Sequence, residues 1–167
     1  MPDKIRIILA DDHALLRKNL SSLLERTTEF RVMGEAENGL ELLDLLNSGL
    51  IPDLLILDLS MPKMSGIEAL CRIKEKNYDF KTLVLTMHKG QDVLCRAFSA
   101  GADGFMLKDG MAKELLPALH HLIEGKIYIS PFFIGELPDR CQIKAFSGQK
   151  PPPSGIEHCG KYPEASP

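Results

Sequence analysis

The sequence has 167 residues, of which 44% are hydrophobic and 26% charged, with a formal net charge of −3 at pH 7. This composition is ordinary for a globular domain and excludes fibrous, fully disordered and membrane-embedded proteins. A slightly acidic chain also lacks the basic footprint of a strong nucleic-acid binder, and its length fits one domain with a short extension.

The N-terminal part of the sequence alternates strand and helix patterns. A β-branched apolar run over Lys4–Leu9 predicts a buried strand. Leucines at helical spacing up to about Arg26 predict a helix after it, with Arg17 outside the apolar stripe. A second strand is predicted over Phe30–Ala36, and the leucine-rich segment 40–46 predicts a second helix.

The same alternation continues to about residue 125. Further strands are predicted at Leu54–Leu57, Thr82–Leu85 and Phe105–Leu107, and further helices at Ile67–Lys76, Asp92–Ala100 and Met111–Glu124. Five β-α units in a row are typical of a parallel sheet with helices on both faces, because each parallel strand pair needs a crossover. The predicted fold class is α/β, a doubly wound five-stranded parallel sheet with five helices.

Polar side chains close four of the five predicted strands: Asp11 and Asp12 the first, Asp58 the third, Thr86 the fourth and Lys108 the fifth. In sheets of this type the carboxyl ends of the strands converge on the functional crevice. Clustered carboxylates repel one another, and a hard divalent cation with oxygen ligands relieves that repulsion, which favours Mg²⁺. Because phosphoryl transfer mainly needs alignment and positive charge, the set predicts Asp58 as nucleophile, assisted by Thr86 and Lys108.

Five separated motifs carry a resemblance to the response-regulator receiver family of two-component systems; they are Leu9–Asp12, Leu57–Pro62, Gly66, Thr86 and Leu107–Lys108. The resemblance covers about residues 4 to 130. It implies the flavodoxin-like strand order 2-1-3-4-5. It also implies that Asp58 accepts a phosphoryl group from the phosphohistidine of a sensor histidine kinase or phosphotransfer protein. Mg²⁺ would be held by Asp11, Asp12, Asp58 and the backbone carbonyl of Ser60, and Lys108 would contact the phosphoryl oxygens.

The resemblance also implies a switch. Thr86 would move toward the phosphoryl group and Phe105 would change rotamer with it, altering a face made of helix 4, strand 5 and helix 5 through which a homodimer could form. The sequence around Thr86 and over 101–109 is similar to that of the NarL/FixJ-type subfamily, whose members usually carry a C-terminal helix-turn-helix. Such a protein would be a phosphoacceptor with at most slow self-catalysed phosphorylation and dephosphorylation, rather than an enzyme of rapid turnover.

The C-terminal segment departs from that plan. Residues 1–126 are predicted to form the receiver domain, and 127–167 a linker remnant and a disordered tail beyond about Asp139, since this segment shows no sustained apolar period. No helix-turn-helix pattern is visible, so specific DNA binding is not expected. Two interpretations stay open: a standalone phosphoacceptor, and a truncated form of a DNA-binding transcriptional regulator.

Other classes are disfavoured by particular residues. A flavodoxin-like cofactor binder would place a Ser/Thr/Gly-rich phosphate loop where Asp11 and Asp12 stand. A phosphatase with an aspartyl nucleophile would want a second acid two residues after it, where Ser60 stands. The four cysteines form no paired spacing, which indicates neither a disulfide framework nor a zinc site. The N-terminus lacks a secretory pattern and apolar stretches such as Leu54–Leu57 are too short to span a bilayer, so a cytoplasmic location is predicted.

Overall fold

The structure is a computed structural model that describes residues 3–134. Its strands are β1 Ile5–Ala10, β2 Phe30–Ala36, β3 Leu54–Asp58, β4 Lys81–Thr86, β5 Gly104–Leu107 and β6 Tyr128–Ile129. Its helices are α1 Ala14–Glu25, α2 Gly39–Asn47, α3 Gly66–Glu75, α4 Gln91–Ser99, α5 Met111–Ile123 and the single turn α6 Pro131–Ile134, with a 3₁₀ turn over Lys108–Gly110. Within this part of the chain, no helix has the length and apolar character needed to cross a membrane.

All strands are parallel and form one sheet in the order β2-β1-β3-β4-β5-β6. The predicted α/β fold and the strand order 2-1-3-4-5 are confirmed. The structure adds a sixth strand, β6, in which Tyr128 pairs with Gly104 and Ile129 with Phe105. Two residues are too few to show a strand period in the sequence, so β6 could not be recognised there.

The sheet is buried on both faces, as its continuous apolar strands require. On one face, alternate strand residues such as Ile7, Leu54 and Leu83 pack with α1 and α5. On the other face, the intervening residues such as Ile8 and Leu55 pack with α2, α3 and α4. Because the strands are packed on both faces, the positions of their carboxyl ends are well defined, and so are the positions of the polar side chains there.

Two expectations from the sequence are wrong. Arg17 does not lie outside the buried stripe of α1; its side chain is 9% exposed, and it shares the sheet-facing side of the helix with Leu20 and Leu24. The spacing of three and seven residues places these three on one face, and acceptors at the strand ends satisfy the guanidinium. The cysteine spacing indicated no disulfide framework, but Cys71 and Cys95 are disulfide-bonded.

The segment after α5 turns back onto the sheet edge. Beyond β6, Ser130 donates its backbone N–H to the carbonyl of Phe105 at 2.9 Å, and its hydroxyl contacts the Glu114 carboxylate of α5 at 3.0 Å. Phe133 of α6 is fully buried, with its ring edge-on to Phe105 at a centroid distance of 5.1 Å. The tail predicted over 127–167 is thus described as far as Ile134, and the rest of it lies outside the described residues.

Candidate functional site

The predicted site residues lie at the carboxyl ends of β1, β3, β4 and β5. Asp11 follows β1, Asp58 ends β3, Thr86 ends β4 and Lys108 follows β5. Asp11 and Asp58 are 3% exposed and Thr86 is fully buried. The parallel order places β1, β3, β4 and β5 side by side, which is why residues almost a hundred positions apart in the chain share one edge.

Lys108 joins the two buried carboxylates. Its Nζ lies 2.9 Å from Asp11 Oδ2 and 3.1 Å from Asp58 Oδ2, and its side chain is 8% exposed. Burial opposes the charge on Lys108, but the Asp11 and Asp58 carboxylates outweigh it and raise the pKa of the ammonium. The lysine therefore stays charged at neutral pH and is pinned between its partners.

The two carboxylates respond differently to the same lysine. Burial, together with the negative charge of Asp11, raises the pKa of Asp58 despite the opposing effect of Lys108. For Asp11 burial also acts to raise the pKa, but the backbone N–H of His13 and the Lys108 ammonium outweigh it and lower the pKa. The environment of Asp58 thus disfavours its ionised form, and a further cation nearby would stabilise that form.

Asp12 completes an acidic cluster, defined here as Asp11, Asp12 and Asp58. One oxygen of each carboxylate and one ring nitrogen of His13 lie within 4.8 Å of one another. Sequence reasoning did not single out His13, whose Nδ1 is 3.0 Å from Asp11 Oδ1 and 3.1 Å from Asp12 Oδ1. Its position directly after two acids at a strand end was the available signal.

The cluster fits a divalent cation on its own geometry. Asp11 Oδ2 and Asp58 Oδ2 are both buried, and the contact that the described residues give each of them is the ion pair with Lys108, which leaves a lone pair on each oxygen for a cation. Three carboxylates face a single ammonium, so negative charge is left uncompensated. Buried oxygens with spare lone pairs and excess negative charge are what a hard cation such as Mg²⁺ binds.

The loop after Asp58 is fixed by short-range contacts. The backbone N–H of Ser60 donates to Asp58 Oδ1 at 3.2 Å. Gly66, the first residue of α3, donates its N–H to the carbonyl of Leu59 at 2.9 Å. A Cβ at position 66 would lie 2.3 Å from the Asp58 carbonyl oxygen, so the close approach of α3 to this loop requires glycine.

A second histidine links the loops after β3 and β4. His88 Nε2 lies 3.0 Å from Ser60 Oγ, and its backbone N–H donates to Thr86 Oγ1 at 3.0 Å. Sequence reasoning assigned His88 no role, because a histidine two residues beyond a strand is usually an ordinary loop residue. The predicted switch residue Phe105 is fully buried on β5, beneath Phe133.

Comparison with known proteins agrees with this geometry. Residues 7–120 match the family described as response regulator receiver domain. The nitrate/nitrite response regulator protein NarL of Escherichia coli K12 is 38% identical over 124 residues, which cover 74% of this chain and 57% of that protein. The transcriptional regulatory protein YdfI of Bacillus subtilis is 33% identical over 134 residues, covering 80% and 62%. The chain thus spans less than two thirds of the length of these curated relatives.

Solved structures give the same result. A LuxR-family two-component response regulator from Aurantimonas sp. SI85-9A1 superposes with a TM-score of 0.75 at 32% identity, covering 81% of this chain and 96% of that one. The isolated REC domain of RcsB from Salmonella enterica serovar Typhimurium, solved with phosphomimetic BeF₃⁻, superposes with a TM-score of 0.75 at 29% identity and covers 81% and 100%.

Proposed function

The chain belongs to the response regulator receiver family, and from that premise we propose that it is a phosphorylation-operated switch whose phosphoacceptor is Asp58. The observation that carries the proposal is the placement of Asp58: buried at the end of β3, it has one oxygen 3.1 Å from the Lys108 ammonium and the other bound by the Ser60 N–H. The carboxylate is thereby oriented for attack, and a cation stands ready for the charge of the incoming group.

In the proposed reaction an Asp58 oxygen attacks the phosphorus of a phosphohistidine, forming an acyl phosphate as the nitrogen–phosphorus bond breaks. Mg²⁺ fits the acidic cluster; Asp11, Asp12, Asp58 and the Ser60 carbonyl would hold it, and when bound it offsets the negative charge of the donor. Lys108 contacts Asp58 already and would transfer that contact to a phosphoryl oxygen.

Thr86 and Phe105 are proposed to report the modified state. Thr86 ends β4, the strand that lies between β3 and β5, and its hydroxyl accepts a hydrogen bond from His88. Phe105 belongs to β5, which pairs with β4 over Leu83–Thr86 and places Phe105 opposite Val84. A phosphoryl group on Asp58 offers the Thr86 hydroxyl a charged acceptor, and the buried ring of Phe105 is placed to respond to a shift of β4.

The partners follow from this scheme as proposals. A sensor histidine kinase or phosphotransfer protein supplies the phosphoryl group, and the α4, β5 and α5 face is the candidate surface for a homodimer. Turnover is proposed to be slow rather than enzymatic, because Ser60 occupies the position where a hydrolase would carry an acid. We further propose a cytoplasmic location and a receiver unit over residues 1–126.

Intact-mass measurement tests the phosphoacceptor directly. The full chain is incubated with a small-molecule phosphodonor and Mg²⁺, and the wild type is expected to gain the mass of one phosphoryl group. Asp58→Ala is expected to gain none. The matched control is Asp53→Ala, which removes an aspartate beside the opposite end of the same strand and should leave labelling intact. A phosphoryl adduct on the Asp58→Ala protein would overturn the assignment.

A second candidate function, regulation of transcription through DNA binding, is kept because the matched relatives include proteins named as transcriptional regulators. The two candidates differ in one measurement. A standalone phosphoacceptor should select no sequence from a random duplex DNA pool at physiological salt, with or without phosphodonor. Enrichment of a defined site would favour retained DNA binding.

A further inference from the structure

Arg17 is a buried arginine on α1 that lies next to the acidic cluster without belonging to it. Its side chain is 9% exposed and faces the sheet, in the same stripe as two fully apolar leucines. Burying a guanidinium is costly unless its donors are satisfied. The identity of those acceptors therefore shows what this residue does.

The guanidinium of Arg17 reaches three residues at the ends of β1 and β2. Nε donates to Glu35 Oε2 at 3.2 Å, and one terminal nitrogen donates to Glu37 Oε1 at 3.3 Å. The Glu35 and Glu37 side chains are 42% and 61% exposed, so water can hydrogen-bond to these carboxylates in place of Arg17. The other terminal nitrogen donates to the backbone carbonyl of Asp11, and this contact is buried.

The Asp11 carbonyl is the acceptor that depends most on Arg17. The Asp11 backbone N–H donates to the Ala36 carbonyl at 3.0 Å, and its side chain is held by His13 and Lys108. The carbonyl is the remaining polar group of this residue, and a buried carbonyl without a donor is costly, so the loop would shift to find one. Loss of the Arg17 contact would thus move the residue that begins the acidic cluster.

We infer that Arg17 is a positioning residue for cation binding: by holding the Asp11 carbonyl, it keeps the Asp11 and Asp12 carboxylates at the separation from Asp58 that one divalent ion requires. The inference rests on the proposed magnesium site. Positioning and simple electrostatics make opposite predictions, which is what makes the role testable. If only charge mattered, removing a nearby positive charge should strengthen cation binding, because it removes Coulomb repulsion. Losing a positioning contact should weaken cation binding.

Calorimetric titration of Mg²⁺ into the full chain measures the affinity. Arg17→Met keeps an unbranched apolar stem but removes every donor, and we expect about a tenfold loss of Mg²⁺ affinity, the lower end of the range for residues that support metal ligands. Arg17→Lys keeps the charge but not the forked geometry, and an intermediate loss is expected. Urea unfolding of each variant confirms that the titrated protein is folded. If Arg17→Met does not fold, Arg17→Lys decides the question, and wild-type affinity in that variant would contradict the inference.

Arg6→Met is the matched control. It makes the same substitution with the same change in net charge, on a strand residue paired with Asp53 at the opposite end of β1 from Asp11. Its Mg²⁺ affinity should stay within about twofold of wild type, because it touches no residue of the acidic cluster. Unchanged or tighter binding by Arg17→Met, or an equal loss in Arg6→Met, would overturn the positioning role. A wild-type chain that binds no Mg²⁺ would instead overturn the metal proposal, and this inference with it.

Discussion

Replacing Gly66 with alanine should damage the site without touching any of its charged groups. The new Cβ would lie 2.3 Å from the Asp58 carbonyl oxygen and 2.7 Å from Leu59 Cα, both backbone atoms that cannot rotate away. Ordinary contacts of this kind are about 1 Å longer, so α3 or the Asp58 loop must move by roughly that amount. Forced displacements of this kind cost about 1–3 kcal/mol.

A compensating effect reduces that figure. Alanine restricts the unfolded chain more than glycine does, which stabilises by about 0.4–1 kcal/mol at a position whose backbone tolerates it. We therefore expect Gly66→Ala to lower the free energy of unfolding by about 1–2 kcal/mol in urea titrations, and the melting temperature by several degrees. Phosphorylation by a small-molecule donor should slow as well, because a shift of 1 Å at Asp58 is enough to spoil alignment.

Gly90→Ala provides the control. Gly90 precedes α4, its φ is −76°, and the nearest atom to an added Cβ is Val93 Cγ2 at 3.9 Å. Alanine is less favourable than glycine at an N-cap, so that substitution should lower the free energy of unfolding by under about 1 kcal/mol and leave phosphorylation unchanged. Equal phosphorylation rates in the two variants would refute the argument that close approach at Gly66 sets the position of the Asp58 loop.

Three further expectations follow from the same geometry. Asp58→Asn should raise the free energy of unfolding of the metal-free protein, measured in urea at neutral pH, by about 1 kcal/mol, since it removes one charge from a buried cluster. Mg²⁺ at ten times its dissociation constant should add about 1.4 kcal/mol to the free energy of unfolding of the wild type and much less to that of this variant. The Arg6 hydrogen bonds and charge lower the pKa of half-exposed Asp53 from 3.8, so its contribution is present above pH 4 and lost as pH falls through the lowered pKa. Asp53→Asn should thus be less stable than wild type at pH 7, by under about 1 kcal/mol, with the difference fading in acid. Phe133→Ala should cost about 3 kcal/mol in thermal unfolding, whereas Phe132→Ala, at a half-exposed ring, should cost under about 1 kcal/mol; equal losses would contradict the burial described.

The main site could be predicted because strand-end positions are read directly from the sequence. Asp11, Asp58 and Lys108 each follow a short apolar run, and the rule that parallel strands present their carboxyl ends at one edge brings them together. The alternation of strand and helix patterns predicts the parallel sheet, and the resemblance to the receiver family predicts the order of its strands. Neither inference depends on side-chain packing. The strand order is confirmed and the structure brings Asp11, Asp58 and Lys108 together, whereas the roles of these residues stay predictions.

Apart from His13, the residues that sequence reasoning missed act through contacts that no local pattern encodes. Arg17 was placed outside the helix stripe because arginine is usually solvated, but acceptors from two other strands make its burial possible. His88 reaches Ser60 across 28 positions of the chain, and β6 is defined by its pairing with β5 rather than by its own period. His88 and β6 depend on partners that are distant in sequence, and Arg17 depends on acceptors in other elements of the fold.

The order in which the strands leave the ribosome gives the Lys108 bridge a further consequence. Asp11 and Asp58 both emerge before Lys108, and the strands that carry them, β1 and β3, are direct neighbours in the sheet. A nascent chain that ends at α4 would therefore bring two buried carboxylates together without their counter-ion, and like charges at that range oppose assembly. We therefore expect the Asp11 and Asp58 ends of β1 and β3 to reach their final positions only after β5 and its lysine have been synthesised.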